Sequence, residues 1–178
     1  MKFTKYQTHG AYHWKQYEQG TKYKKHADFI KEWVEEEDTL DVGAGDGFLT
    51  HHLGIRGIDN EQEAVRLAQN KGANVILGDA YSLNFCDDFC DSILMADVLE
   101  HLERPAEALQ EARRVLKKFL YITTPPRRPD GKLTDKFHYQ EWTPDELKIL
   151  VEQQGFTLQS KVIVLEKEKT MYAKFKKV

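Results

Sequence analysis

The sequence predicts a doubly wound α/β fold, in which a mostly parallel sheet carries helices on both faces. Two observations predict it: short apolar runs alternate with segments of helical period along the chain, and the last segment loses that period. No linker, internal repeat or low-complexity tract divides the 178 residues. We therefore predict a single domain over residues 1–178.

Five apolar runs have the length and composition of strands that are buried on both faces of a parallel sheet. In chain order they cover residues 39–42, 55–58, 74–77, 92–96 and 119–123. Right-handed helical crossovers place the carboxyl ends of such strands at one edge, where doubly wound sheets bind ligands. Functional residues are therefore expected in the loops that follow the strands.

Helical period and capping signals predict four helices. They cover residues 23–35, 61–70, 105–117 and 144–154. Thr143, with Glu146 three residues later, has the spacing of a capping box, and Asn60 is expected to cap the second helix. Gly72 and Gly155 follow two of the helices as left-handed terminators.

The two ends of the chain depart from this alternation. Residues 157–164 and 170–175 are predicted to form an antiparallel hairpin joined by the charged stretch 166–169. The first 22 residues are polar and aromatic, and they include Tyr6, His9, Tyr12, His13, Trp14 and Tyr17. They form either a lid over the functional edge or an N-terminal helix that packs its aromatic side chains on the body.

Composition excludes several classes of partner. The chain has 26 Lys and Arg against 29 Asp and Glu, a formal charge of -3, so a nucleic-acid partner is not expected from charge. The apolar runs are far shorter than the roughly 20 residues of a membrane span, and the N-terminus lacks the apolar core of a signal peptide. Cys86 and Cys90 do not form a C-x-x-C pair. A cytoplasmic protein with reduced, structural thiols and no membrane partner is predicted.

The loop after the first predicted strand is rich in glycine. Gly43, Gly45 and Gly47 are spaced G-x-G-x-G, which permits a tight turn and close approach of a ligand to the main chain. A dinucleotide loop has the spacing G-x-G-x-x-G instead. Asp41 and Asp46 flank the turn, and their charges repel a phosphate but suit a cationic or amino-bearing ligand.

A carboxylate also ends each of the next two strands. Asp59 has the geometry to accept two hydrogen bonds from the vicinal hydroxyls of a ribose, and Asp79 to accept one from an exocyclic amino group such as that of adenine. Either acid, taken singly, also suits the cap of the following helix. Because the glycine loop and both acids end three successive strands, together they favour a nucleoside ligand.

These motifs resemble the class I S-adenosylmethionine-dependent methyltransferases over about residues 22–178. The segment 91–102, followed by Pro105 and by residues 114–117, is similar to a block common among members that act on small molecules. The resemblance implies a Rossmann-like methyltransferase fold, with a seven-stranded sheet whose final strand is antiparallel. Two departures stand out: the crossover 48–57 is short, and Lys118 with Phe119 replaces the usual Pro-Gly-Gly type of turn.

The resemblance further implies S-adenosylmethionine as the cofactor and assigns its contacts. The loop 41–47 corresponds to the part that holds the methionine end, the end of the second strand to the ribose site, and the end of the third strand to the adenine site. The implied cofactor-binding residues are Asp41, Gly43, Ala44, Gly45, Asp59, Asn60, Asp79, Ala80 and Ala96.

The expected reaction is methyl transfer to an oxygen or nitrogen of a small-molecule acceptor. His138 is the candidate catalytic base for a hydroxyl acceptor, because it lies in a long loop after the fifth strand. The resemblance supports this choice, since in similar small-molecule methyltransferases a histidine before a Trp-Thr-Pro-x-Glu-Leu helix start lies near the mouth of the active site. The alternative is that His138 only anchors that loop. Arg127 and Arg128 in the same loop either bind an acidic or phosphorylated substrate or are solvated surface charges.

Other functional classes share these features. Asp97, Glu100, His101 and His138 resemble the metal-binding set of small-RNA 2′-O-methyltransferases, but the first acid is Asp rather than Glu and the net charge is negative. We therefore predict no metal ion. The intact glycine loop and strand-end acids also argue against an inactive methyltransferase-like binding module, and a nicotinamide-dependent oxidoreductase is the alternative by fold. The sequence makes no prediction of the oligomeric state.

Overall fold

The computed structural model describes residues 5–165 and 169–178. The strands are β1 (Thr39–Val42), β2 (Arg56–Asp59), β3 (Val75–Leu77), β4 (Cys90–Ala96), β5 (Leu116–Thr124), β6 (Phe156–Leu158), β7 (Ile163–Leu165) and β8 (Thr170–Lys177). The helices are α1 (Lys5–His9), α2 (Tyr12–Glu18), α3 (Lys22–Trp33), α4 (Phe48–Leu53), α5 (Gln62–Asn70), α6 (Pro105–Val115) and α7 (Pro144–Glu152). A 3₁₀ turn covers Leu99–His101.

The strands form one mixed sheet in the order β3-β2-β1-β4-β5-β8-β6, with β7 also beside β8. Strands β1 to β5 are parallel and β8 is antiparallel to β5, which confirms the predicted fold class. The expected count of seven strands is wrong, since the sheet of the described residues has eight. The predicted strand 157–164 is wrong in one respect: it is two short strands, β6 and β7, which pair with opposite halves of β8. The chain bends away between them at the exposed Gln159 and Ser160. Residues 166–168 of the predicted hairpin connection lie outside the described residues.

Each face of the sheet carries its own hydrophobic core. Ile93 packs in the larger cluster together with residues of α6 and α7, whereas its neighbour Leu94 packs on the opposite face with residues of α3 and α4. Both side chains are fully buried. Successive strand residues point to opposite faces, so a strand covered on both sides needs a continuous apolar run.

Both departures from the family pattern are visible in the structure. The first crossover contains only the six-residue α4, which Gly54 ends with a left-handed φ of 73°. Helix α6 passes directly into β5 at Leu116, without an intervening turn. The cap predicted at Asn60 is wrong, since the residue at the N-cap of α5 is Glu61 and its side chain makes no capping bond.

The helices of the described ranges are all too short or too polar to span a bilayer.

The capping box at the start of α7 is present as predicted. Thr143 Oγ1 accepts a hydrogen bond from the Glu146 N–H at 3.3 Å, and Glu146 Oε2 accepts one from the Thr143 N–H at 2.9 Å. Replacing Thr143 with Ala should lower the free energy of unfolding by about 1 kcal/mol, because an orphan backbone donor loses its partner. Urea denaturation measures this. Thr157→Ala, at an exposed position of β6, is the matched control, and an equal loss in both variants would contradict the capping role.

Candidate active site

A cavity of about 830 Å³ opens at the carboxyl ends of the parallel strands. The turns after β1, β2, β3 and β4 line one side of it. Helices α1 and α2 and the 125–143 loop contribute the other side. This volume lies in the range of pockets that hold small molecules and cofactors. We refer to it below as the chamber.

The glycine loop packs closely against its neighbours beside the chamber. Gly43 has a φ of 83°, and a Cβ built there would lie 2.5 Å from Val98 Cγ2. A Cβ on Gly45, whose φ is 57°, would collide with the Tyr6 hydroxyl. Both the backbone conformation and the close packing of Val98 and Tyr6 therefore require glycine at these two positions. Gly43 and Ala44 line the chamber, whereas Gly45 is not among the described residues that line it.

Asp41 lies under this loop and lines the chamber, although it is only 1% exposed. Its Oδ2 accepts a hydrogen bond from Thr50 Oγ1 at 2.7 Å. Burial, with a smaller contribution from the charge of Asp59, raises the pKa of Asp41 to about 7. A cationic amino group bound beside it would favour the charged carboxylate.

Asp59 organises the start of the following helix, one of the two alternatives for this acid, and it also lines the chamber. Its Oδ1 accepts a hydrogen bond from the Glu61 N–H and its Oδ2 one from the Gly45 N–H, both at 2.8 Å. The side chain therefore holds the start of α5 and the glycine loop, and it also lines the chamber with Asn60. Burial raises the pKa of Asp59, although these backbone donors oppose the shift. A carboxylate has about four acceptor positions, so capacity remains for ribose hydroxyls.

At the end of β3, the carboxylate of Asp79 binds the backbone of its own turn, whereas the sequence suggested an acceptor for an exocyclic amino group. Asp79 is exposed, and its Oδ1 accepts a hydrogen bond from the Tyr81 N–H at 2.9 Å, so that its side chain shapes the turn. Ala80 lines the chamber on this turn. Ala96, at the end of β4, also lines it, as the resemblance implied.

The N-terminal segment is anchored to the glycine loop through Asp46. This carboxylate is fully buried and accepts hydrogen bonds from the backbone N–H of His13 at 2.9 Å and from its Nδ1 at 3.0 Å. Trp14 Nε1 donates to the Asp46 carbonyl at 2.9 Å. Asp46 thus binds α2 and does not face a cationic ligand, contrary to the expectation from its charge.

The same segment packs on the body and lines the chamber. The rings of Trp14 and Tyr17 contact the ring of Phe48, with centroids 5.2 and 4.6 Å apart. Tyr6 and Tyr12 line the chamber, and Lys5 connects α1 to the 125–143 loop through an ion pair with Asp135 at 3.0 Å.

His138 lies on the chamber wall formed by the 125–143 loop. Its Nδ1 is 2.6 Å from Oε1 of Glu141, a carboxylate that is 5% exposed. Thr134 donates to the same oxygen from its backbone N–H at 2.7 Å and from its hydroxyl. Burial acts to raise the pKa of Glu141, but the hydrogen bonds from Thr134 and His138 bring it below its usual value. Sequence reasoning missed Glu141, whose only signal was its position three residues after the histidine.

Two further titratable groups adjoin His138. Glu100 is 1% exposed, and its Oε2 accepts a hydrogen bond from Thr124 Oγ1 at 2.9 Å. Burial, with a smaller contribution from the charge of Asp97, holds the pKa of Glu100 well above its usual range. His101 faces His138 edge-on with ring centroids 4.7 Å apart, and burial followed by the charge of His138 lowers its pKa to about 4.

The two arginines of the loop lie outside the chamber. Arg127 pairs with Glu146 at 2.7 Å and Arg128 with Asp130 at 2.9 Å, and all four side chains are exposed by two fifths or more. These contacts support the alternative of surface charges over that of an anionic-substrate site.

The buried Asp41 should make stability depend on pH. Its pKa is about 7 in the folded protein against 3.8 for an aspartate that is exposed to water, so the folded state binds the extra proton between these values. Stability is therefore lost as the pH rises from about 4 to about 7, by at most about 4 kcal/mol at 1.36 kcal/mol per unit. Asp41→Asn should remove the contribution of this carboxyl, so the difference in stability between the two proteins should change by up to that amount over this range, and the variant should be the more stable protein at pH 8, while Asp59 and Glu100 contribute equally to both profiles. Urea denaturation of both proteins across this range measures the difference, and parallel pH profiles would contradict it.

Comparison with known proteins agrees with this geometry. Residues 40–121 match the model of a family described as a methyltransferase domain. A tRNA (carboxymethyluridine(34)-5-O)-methyltransferase of Arabidopsis thaliana is 30% identical over 146 residues, which are 75% of this chain and 34% of that protein. The chain spans less than half of the length of the curated relatives that it matches.

Solved structures show the same fold. A SAM-dependent methyltransferase from Aquifex aeolicus is 25% identical, with a TM-score of 0.70 over 85% of this chain and 88% of that one. Magnesium protoporphyrin IX methyltransferase from Synechocystis, solved with bound S-adenosylhomocysteine, is 15% identical, with a TM-score of 0.72 over 88% of this chain and 84% of that one. The chain therefore belongs to the class I S-adenosylmethionine-dependent methyltransferases, which confirms the family, the fold and the cofactor that the sequence predicts.

Proposed function

We propose that this protein transfers the methyl group of S-adenosylmethionine to an oxygen or nitrogen atom of a small-molecule acceptor, in the cytoplasm. One observation supports the proposal most strongly: the chamber of about 830 Å³ is continuous from the glycine loop to His101 and His138. The cofactor, when bound, supplies an electrophilic methyl group on a sulfonium. Alignment of acceptor and methyl group in one enclosed chamber contributes much of the rate of such a displacement.

The proposed cofactor contacts are supported by the positions of the loops around the chamber. In the proposed arrangement, Asp41 binds the amino group, while Gly43, Ala44 and Gly45 present backbone to the amino-acid end. Asp59 and Asn60 bind the ribose. The turn that Asp79 shapes places Ala80 beside the adenine, and Ala96 forms the wall next to the reacting end. Asp41, Asp59 and the alanines of this set line the chamber.

His138 is the proposed catalytic base for a hydroxyl acceptor. Because Nδ1 of His138 lies 2.6 Å from the Glu141 carboxylate, the tautomer with the proton on Nδ1 is stabilised and Nε2 is left as the acceptor. Nε2 then takes the proton of the acceptor hydroxyl as the oxygen is methylated. Glu141 is the positioning residue in this arrangement.

An RNA nucleotide is the second candidate acceptor. The Arabidopsis tRNA methyltransferase, 30% identical over 146 residues, favours it. The formal charge of -3 and the cover of the chamber by α1 and α2 favour a small molecule instead. Production of S-adenosylhomocysteine distinguishes the two when it is measured with a panel of small hydroxyl and amine compounds and, separately, with transfer RNA. Turnover with transfer RNA alone would overturn the small-molecule proposal.

Removal of the proposed ribose acceptor should weaken cofactor binding. Asp59→Ala should raise the Kd for S-adenosylhomocysteine about 10- to 100-fold, because hydrogen bonds to a charged group are lost. Titration calorimetry measures the Kd, and the melting temperature reports the loss of the bonds to Gly45 and Glu61. Asp87→Ala, at a carboxylate that is 75% exposed and remote from the chamber, is the matched control. Unchanged affinity in a folded Asp59→Ala protein would show that this acid only organises the start of α5.

Removal of the proposed base should lower turnover without weakening cofactor binding. With a hydroxyl acceptor from the panel, His138→Gln should lower kcat by about 100-fold or more, because the group that takes up the proton is lost. The Kd for S-adenosylhomocysteine should not change. His51→Gln, at an exposed histidine of α4, is the matched control. Full activity of the His138→Gln protein would show that His138 only anchors its loop and is not the catalytic base.

A further inference from the structure

We propose that Glu100, His101 and His138 form a binding site for a divalent transition-metal cation at the acceptor end of the chamber. One ligand atom from each of the three residues lies within 4.8 Å of those from the other two. The site is distinct from the proposed cofactor contacts, and metal binding does not require that the protein be an active methyltransferase. The sequence-based prediction of no metal ion is replaced by this proposal.

The arrangement needs little adjustment to hold a cation. Three ligand atoms that each lie about 2.1 Å from a tetrahedral zinc ion are about 3.4 Å from one another. The ligand atoms of the three residues lie within 4.8 Å of one another, so each pair has to approach by at most about 1.4 Å. Glu100 and His101 are adjacent in the 3₁₀ turn after β4, and His138 approaches from the 125–143 loop. Closure therefore requires small movements of side chains between two elements that already contact each other.

Each ligand is held by a second group in the way that metal ligands are. Nδ1 of His138 lies 2.6 Å from Glu141 Oε1, and Nδ1 of His101 lies 3.2 Å from the Phe137 carbonyl oxygen. Both contacts favour the proton on Nδ1 and present Nε2 as the ligand atom. Thr124 donates to Glu100 at 2.9 Å. Outer hydrogen bonds of this kind fix the tautomer and orientation of ligands at protein metal sites.

The charge balance around the three residues also favours a cation. In the described part of the chain, neither Glu100 nor Glu141 forms an ion pair with a lysine or arginine, although both are buried. One oxygen of Glu141, Oε2, is buried and has no hydrogen-bond partner among the described residues. Buried carboxylates without cationic partners are costly. A divalent cation would supply the missing positive charge.

The ligand set indicates the class of cation and of acceptor. Two imidazoles and one carboxylate suit zinc, manganese or iron better than magnesium or calcium, which prefer oxygen ligands. Three protein ligands leave coordination positions open toward the chamber, as in catalytic metal sites. An acceptor with a hydroxyl or carboxylate oxygen would fill them.

Asp97 does not belong to this group. Its Oδ1 accepts a hydrogen bond from Thr123 at 2.9 Å, and its Oδ2 lies 3.6 Å from Nε2 of His26. The structure therefore supports a three-residue site rather than the four-residue set suggested by the sequence pattern.

The metal site and the free base are alternative states of His138. With a cation bound, Nε2 of His138 is a ligand and does not take up a proton. A chelator should therefore lower turnover if the metal-bound state is the active one, and leave it unchanged or raise it if the free base acts. Metal binding itself is measured without turnover.

The test uses the full, untagged chain after treatment with a chelator. Titration calorimetry with zinc chloride and with manganese chloride should show one cation per chain, with a Kd of about 1 μM or lower for zinc. Magnesium chloride should give no comparable heat. Glu100→Gln, His101→Gln and His138→Gln should each weaken zinc binding about 10-fold or more. Glu141→Gln should weaken it about 10- to 100-fold, because it removes the group that orients His138.

His51→Gln, which removes an exposed histidine outside the group, should leave the zinc affinity unchanged. The melting temperature and the Kd for S-adenosylhomocysteine show which variants are folded. If a variant of Glu100 or His101, in the buried 3₁₀ turn, does not fold, the zinc affinities of the two single variants Glu141→Gln and His138→Gln test the proposal instead. Failure of the wild-type chain to bind zinc or manganese overturns the proposal, as does equal zinc affinity in the folded histidine variants. Zinc binding without turnover on any acceptor would contradict the proposed function alone, and turnover without metal binding would contradict this inference alone.

Discussion

The carboxylate of Asp59 determines the geometry on which the proposed cofactor site depends. Its two oxygens bind the backbone N–H groups of Gly45 and Glu61, so that one side chain at the end of β2 connects the turn after β1 to the start of α5. The bare backbone of Gly43 is fixed in the same turn against Val98. The parts of the site are therefore positioned before a ligand binds, which lowers the entropy lost on binding.

The cover of the chamber depends on a second carboxylate, Asp46. Its side chain and carbonyl bind His13 and Trp14, which brings α1 and α2 over the glycine loop. Tyr6 then occupies the space that a side chain at Gly45 would need. The N-terminal segment and the glycine loop are consequently one structural unit, so a substitution in either should alter the conformation of the other.

Buried titratable groups concentrate around the chamber. The pKa of Asp41 is raised to about 7 and that of Glu100 well above its usual range, while that of His101 is lowered to about 4, in each case mainly by burial. Such groups destabilise the fold relative to apolar side chains of similar size. Their accumulation at one edge of the sheet is typical of a functional site.

The amino-acid sequence by itself determined the five parallel strands, four of the helices, the mostly parallel sheet, and the edge at which the site lies, because periodicity and capping are local signals. It also identified Asp41, Asp59 and Ala96 as chamber residues. Only the tertiary structure decided that Asp46 binds α2. The contacts of Asp79 with Tyr81 and of Glu141 with His138 are local, but the local conformation of each loop selected them from several that the sequence allows. The tertiary structure alone brought His101 close to His138. The contacts of Asp46 with His13 and of His101 with Phe137 join residues 33 and 36 positions apart, and such contacts depend on the path of the chain rather than on local spacing.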